Sequence, residues 1–372
     1  MPSSRSRLVA PIRRRRYALA RVVRTHDPGP SQPVTGRRVA PVPTTRRPWI
    51  DVHAHPGRCY LAGFEEGHVL SQLLGGDDSS GALHAAREAG LTAVSFATVA
   101  DLLVLAPNDA GGLHAGRDFA PGEARADHRR QLDGLRRLVD AEQVAIARTA
   151  ADLEAAHAEG RTVVLVTCEG GDFLDGDLDG LAEAQAAGMS SLTLVHYRVN
   201  EIGDIQTEAP VHGGLTAFGR DVVAACNDLG VVIDCAHATL ATTLDVLEAS
   251  VAPVMISHSH LDHLDRSHPR LLSVENAAAV ASSGGVVGAW PSGVTSATFD
   301  DFVDEIVRLV EVLGADHVAI GTDLDANYRP VVTDHGQFAA IAASLAERGV
   351  DDDGVDAVLG GSVVDLYRRV AG

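Results

Sequence analysis

The chain has 372 residues, of which 45% are hydrophobic and 22% charged, an ordinary composition for a globular protein able to bury a large core. Its net charge is −19, but residues 1–50 hold 12 Arg against one Asp, so the remainder carries 19 basic against 49 acidic residues. So acidic a body disfavours nucleic acid as a partner, since phosphate binding needs a basic face, and the complete lack of Lys excludes Schiff-base and carboxylated-lysine chemistry.

Residues 1–48 are rich in Arg and Pro and have no pattern that could bury a face, which predicts a disordered segment. The run Arg13–Arg16 raises the alternative of a twin-arginine export signal or of a misassigned start. No clean apolar run of about 7–15 residues follows it, because Arg21 interrupts "YALARVV", so a cytoplasmic location is the expectation and export the alternative. No stretch approaches the roughly 18–20 apolar residues of a membrane span. The four cysteines, Cys59, Cys168, Cys226 and Cys235, lack CxxC spacing; Cys168 and Cys235 lie in apolar runs and read as buried core thiols.

From residue 49 the character changes, and residues 49–372 read as one barrel domain. Short apolar runs rich in β-branched residues occur at 49–54 ("WIDVHA"), 91–99, 162–170, 191–197, 231–237, 253–260, 284–290 and 317–325. Between them lie stretches such as "AFGRDVVAACNDLG", "TTLDVLEAS" and "DFVDEIVRLVEVLG", with apolar residues at i, i+3 and i+4 and often a closing Gly. Continuous apolar strands are those buried on both faces, as in a parallel sheet covered by helices, and eight of them alternating with helices predict an α/β fold of the (β/α)₈ TIM-barrel type. The rival, an open doubly wound sheet, gains no support, since no GxGxxG loop is present and Gly321 is better explained by close packing at a strand end. The last segment, "DDDGVDAVLGGSVVDLYRRVAG", reads as two short helices split at Gly360-Gly361 and lying on the outside of the barrel.

The stretch "DVHAHPG" places His53 and His55 two residues apart, so an extended chain aims both imidazoles to one side. Glu169, His196, His237, His258 and Asp323 then fall at the C-terminal ends of other strands, the mouth at which barrel chemistry gathers. Singly, each has an ordinary reading as a capping acid or a solvated histidine. Together they form a ligand set of histidines and carboxylates without cysteine, suited to Zn²⁺ and also to Mn²⁺, Fe²⁺ or Co²⁺. They exceed what one open site uses. Two divalent ions are therefore expected, about 3.5–4 Å apart, able to hold a hydroxide between them and to polarise a carbonyl.

The blocks "DVHAHPG", "VTCEGG", "SLTLVHYRVNEIGD", "GLTAFGRDVVAACNDLGVVIDCAHAT", "PVMISHSH" with "HPRLLS", and "HVAIGTDLDA" resemble, in order, those of the membrane (renal) dipeptidase family, peptidase family M19 of the amidohydrolase-like hydrolases. The resemblance implies a barrel with a binuclear zinc site hydrolysing dipeptides, and it assigns roles. His53, His55, Glu169 and Asp323 would hold one ion, and Glu169, His237 and His258 the other. His196 would reach the substrate carbonyl or its oxyanion, Arg270 would pair with the terminal carboxylate, and Asp323 would shuttle a proton to the leaving amine. The expected partner is a small dipeptide; a homodimer is compatible with this reading. Strand one departs from the family pattern, which carries His-x-Asp where this chain has His-x-His, and this bears on metal identity and occupancy. His260, His263 and His268 exceed the motif and read as loop residues. Two alternatives share the residues: hydrolysis of another small amide, lactam or lactone, and metal binding without catalysis.

Overall fold

The computed structural model describes residues 47–65, 67–109, 112–263 and 267–372. Of the segment 1–48 expected to be disordered, and of the export signal, residues 1–46 lie outside the described ones; Arg47 pairs with Asp365 and Pro48 is buried. Among the described residues, eight parallel strands close into a barrel: β1 (Ile50–Asp51), β2 (Ala93–Val99), β5 (Val163–Glu169), β6 (Met189–Thr193), β7 (Val232–Asp234), β8 (Met255–Ser259), β9 (Val286–Ala289) and β10 (Val318–Ile320). β1 pairs with both β2 and β10, which closes the ring. Seven of the eight expected apolar runs contain one of these strands, and the run 191–197 overlaps β6, which begins two residues before it. Every residue in the strands is buried, because helices cover the outer face and side chains fill the interior.

The covering helices bury the faces that the sequence spacing implies. In the helix Phe299–Leu313, Phe302, Val303, Ile306 and Leu309 turn inward. Thr298 and Asp301 form a reciprocal capping box at its start, satisfying backbone donors that would otherwise be orphaned. Gly321 does serve close packing: a Cβ there, like one at Gly288 on β9, would collide with the carbonyl oxygen of Ser257 on β8.

Two parts differ from the sequence reading. The closing helix Ser362–Val370 does not lie simply on the outside of the barrel. Its Val363, Val364, Leu366 and Tyr367 pack with Ile50, Ala93, Val163, Val232, Met255, Val286 and Ala319, all from the N-terminal ends of strands, so the helix closes the bottom of the barrel. The second is the stretch between β2 and β5, for which the sequence reading names no element. It contains a hairpin, β3 (Leu105–Pro107) with β4 (Leu113–Ala115), and the helix Glu123–Glu142. No helix among the described residues is long and apolar enough to cross a membrane.

Tyr367 is fully buried and its hydroxyl meets Ser190 Oγ at 3.0 Å. Tyr367→Ala should therefore cost about 3–5 kcal/mol in a denaturant titration, as for other large aromatic truncations. Tyr367→Phe should cost only about 1 kcal/mol, the net worth of one hydrogen bond.

Candidate metal centre

Side chains alternate along a strand, so Val163, Leu165, Thr167 and Glu169 of β5 share its inward face. Val163 and Leu165 join the apolar floor, Thr167 Oγ1 meets Ser95 Oγ at 2.8 Å, and Glu169 stands above them at the mouth. Five imidazole nitrogens surround its carboxylate. His237 Nε2 lies 2.9 Å away, His55 Nε2 and His196 Nε2 3.3 Å, and His53 Nε2 and His258 Nε2 3.5 Å. Asp323 Oδ1 is 3.5 Å from His55 Nε2.

These rings are aimed by partners on their far sides. His55 Nδ1 lies 3.0 Å from the Ala97 carbonyl, to which only a protonated nitrogen can donate, so Nε2 keeps its lone pair for the centre. His258 Nδ1 meets Ser257 Oγ at 2.9 Å, and that hydroxyl donates to Asp234 at 2.6 Å. Asp101 Oδ1 holds His196 Nδ1 at 2.7 Å. Backbone strain accumulates here as well: His237 has φ +67° and Asp323 φ +54°, a region non-glycine residues enter at a cost. Both are pinned, His237 by the Gln206 N–H on its carbonyl (2.8 Å) and Asp323 by donating its own N–H to the His53 carbonyl (2.9 Å).

The electrostatics follow from burial opposed by close charge. Burial resists ionisation of Glu169, yet His196 and His53 and the hydrogen bond from His237 hold it well below the ordinary carboxylate range. Burial and the Glu169 charge push Asp323 up to about 6, against the pull of His55. Burial keeps His237 and His258 well below the usual histidine value and therefore neutral, the form that ligates metal.

His53, His55 and Glu169 form one group whose ligand atoms lie within 4.8 Å of one another, and Glu169, His237 and His258 form a second. Nε2 of His53 and Nε2 of His55, both turned toward Glu169, are buried without a hydrogen-bond partner. Buried polar atoms ordinarily find partners, so orphaned nitrogens converging on a shared carboxylate fit a site for cations.

Every strand-end residue named from the sequence lies in this cluster, but only Glu169 is the last residue of its strand: His258 lies within β8, and His53, His55, His196, His237 and Asp323 sit two to four residues beyond the ends of β1, β6, β7 and β10. Arg270 is buried, 2% exposed, with its guanidinium 5.4 Å from the Trp290 ring; the Trp290 indole N–H donates to Asp323 Oδ2 at 3.1 Å. His260, His263 and His268 lie in the loop after β8, as expected, but they are engaged there: His260 is fully buried against Phe302, His263 pairs with Glu305, and His268 Nδ1 accepts the Arg270 N–H. The sequence reading missed Asp101, Asp234, Ser257, Gln206 and Trp290. Asp101 and Trp290 could have been found by the strand-end rule itself, as Asp101 lies two residues past β2 and Trp290 one past β9.

Residues 83–371 match the model of the membrane dipeptidase family, peptidase family M19. The chain belongs to this family. Family M19 is a metallopeptidase family, and membership implies a metal cofactor. The matched stretch begins beyond His53 and His55. Among curated relatives, dipeptidase tcpJ of Claviceps purpurea is 27% identical over 269 residues, covering 68% of this chain and 63% of the relative's length. Dipeptidase verJ of Clonostachys rogersoniana is also 27% identical, over 69% of each chain. Solved M19 structures share the fold. Dipeptidase AC aligns with a TM-score of 0.73 at 23% identity, over 87% of this chain and 98% of its own. A Rhodobacter sphaeroides metallopeptidase, liganded with a phosphinate mimic of the dipeptide L-Ala-D-Ala, gives 0.71 at 22% identity, over 87% and 99%.

Asp101 generates a prediction. Burial lowers the basicity of His196, and the carboxylates of Asp101 and Glu169 more than offset it, leaving its pKa raised. Asp101→Asn removes one of these charges, so His196 should titrate at lower pH than in the parent. Nitrogen NMR of ¹⁵N-labelled histidine checks this, and an unchanged His196 titration would show that the pair is not formed.

Proposed function

We propose that this family member is a zinc-dependent dipeptidase, and that its active centre is the cluster around Glu169. The reading rests on one observation: two ligand groups share the Glu169 carboxylate beside Arg270, a buried cation whose Nε and Nη2 lack hydrogen-bond partners. The donor chemistry, imidazole and carboxylate without thiolate, suits two Zn²⁺ ions. In this proposal His53, His55, Glu169 and Asp323 hold one, and Glu169, His237 and His258 the other. Such ions supply Lewis-acid polarisation of a carbonyl and lower the pKa of water.

The remaining work falls to side chains. Arg270 offers two parallel N–H groups, the geometry that receives a terminal carboxylate. That contact would fix the substrate's position and favour chains short enough to place their carboxylate beside the reacting bond. His196 Nε2 faces the centre from the side opposite its Asp101 anchor and would donate to the oxyanion that develops on the substrate carbonyl. Asp323, at the mouth 3.5 Å from His55 Nε2, would take the proton from the attacking water and return it to the departing amine. A dipeptide fits this demand, since its amide bond lies one residue from its carboxylate. The dipeptide mimic bound by the Rhodobacter sphaeroides fold relative supports the same substrate class.

The test is an assay of zinc-loaded protein on a dipeptide panel. Hydrolysis that is lost with a chelator and restored by zinc supports the proposal; absence of hydrolysis of any dipeptide, with lactams or lactones turned over instead, would shift the substrate to those classes. Elemental analysis should find about two equivalents of zinc in the parent, and Glu169→Ala should lower content at both positions and abolish turnover. At the position where this chain departs from its family, His55→Asp should retain both equivalents and His55→Ala should lose about one. Full content in His55→Ala would make His55 a bystander.

A further inference from the structure

In the connection between β6 and the helix Ala217–Leu229, residues 194–216, Asp204 gathers one concentrated set of hydrogen bonds. The carboxylate of Asp204 accepts the backbone N–H groups of Val211, His212, Gly213 and Gly214 at 2.7–3.1 Å for its closest contacts. Its carbonyl accepts the Thr239 N–H at 3.1 Å, and Ile205 bridges Ala238. Gln206, next in the chain, donates its N–H to the His237 carbonyl at 2.8 Å. Its backbone is thereby fixed beside the centre, and its side-chain Oε1 accepts from Arg270 Nη1 at 2.7 Å.

Arg270 is pinned from its own side too. Its carbonyl accepts from Ser259 Oγ at 2.7 Å, and its N–H meets His268 Nδ1 at 3.2 Å. A guanidinium carries five N–H groups, and Gln206 occupies Nη1. The nitrogens left buried and unpaired are Nε and Nη2, which form one edge with two parallel donors. That edge matches the two oxygens of a carboxylate, whereas an Nη1 contact does not compete for it. A neutral acceptor at position 206 also matters. A carboxylate there would cancel the charge that a buried guanidinium otherwise offers to an anion.

We infer that Gln206 is a specificity-determining positioning residue: by holding Nη1 with a neutral oxygen it presents the charged Nε–Nη2 edge of Arg270 to ligands bearing a free carboxylate. The inference deepens the dipeptidase reading, on which its enzymatic consequence rests, but the carboxylate preference itself is a binding property.

The experiment compares zinc-loaded parent, Gln206→Glu and Gln206→Met. Binding of N-acetylglycine and of N-acetylglycinamide is measured by calorimetry, and KM and kcat for Ala-Ala by steady-state kinetics. The parent should prefer the acid to the amide. Gln206→Glu should weaken N-acetylglycine at least tenfold, with the amide little altered, and raise KM for Ala-Ala in parallel while kcat falls less. Gln206→Met, neutral and of similar length but without the acceptor, should weaken the acid severalfold. Parent-like acid binding in Gln206→Glu, equal weakening of acid and amide, or no acid preference in the parent would each overturn the inference. If acid preference responds as described while the parent hydrolyses no dipeptide, the positioning role stands and the dipeptidase reading fails.

Discussion

A carboxylate buried at the mouth of the barrel, with five imidazole nitrogens within 3.5 Å, is the constraint on which the rest of this structure depends. Taking Glu169 and its histidines out of water is costly unless each group finds a partner of opposite character. The surrounding layer answers that cost by fixing which face of each ring turns inward. Ala97 and Ser257 hold the far nitrogens of His55 and His258, Asp234 backs Ser257, and Asp101 holds His196. The same layer explains why His237 and Asp323 tolerate positive φ: hydrogen bonds to neighbouring loops over-determine their backbone.

The barrel separates two demands by height. Below, Val163, Leu165, Met255, Val286 and Ala319 pack against Tyr367 and its neighbours, an apolar floor at the end opposite the mouth. Above, the inward positions turn polar through Ser95 and Thr167 to Glu169. Strands long enough to span both layers let one sequence register serve packing at its start and chemistry at its end. Long connections then bring Gln206 and Arg270 over the mouth from different strands, so the groups suited to hold a substrate sit on loops tied to a rigid ring.

Much of this was legible in the sequence. The eight barrel strands could be read because double burial forces continuous apolar runs, and the site because polar residues at the ends of such runs have few structural reasons to be there. The helix Glu123–Glu142 was not read because its buried face includes Asp127, His128 and Gln131, which blur the apolar period. The hairpin strands at 105–107 and 113–115 are short and half-buried, with no alternation to announce them. The tail "SVVDLYRRV" shows its helix plainly, but no local pattern says which surface it will close. Asp234 was hidden inside an apolar run, and Gln206 in a loop, where only the folded chain reveals its partner.

The central claim is that Glu169 is the shared ligand of two cations. Anomalous diffraction at the zinc edge, from crystals grown with zinc, tests it most directly. The account predicts two peaks flanking the Glu169 carboxylate, one toward His53 and His55 and one toward His237 and His258. A single peak, or peaks away from Glu169, would contradict it.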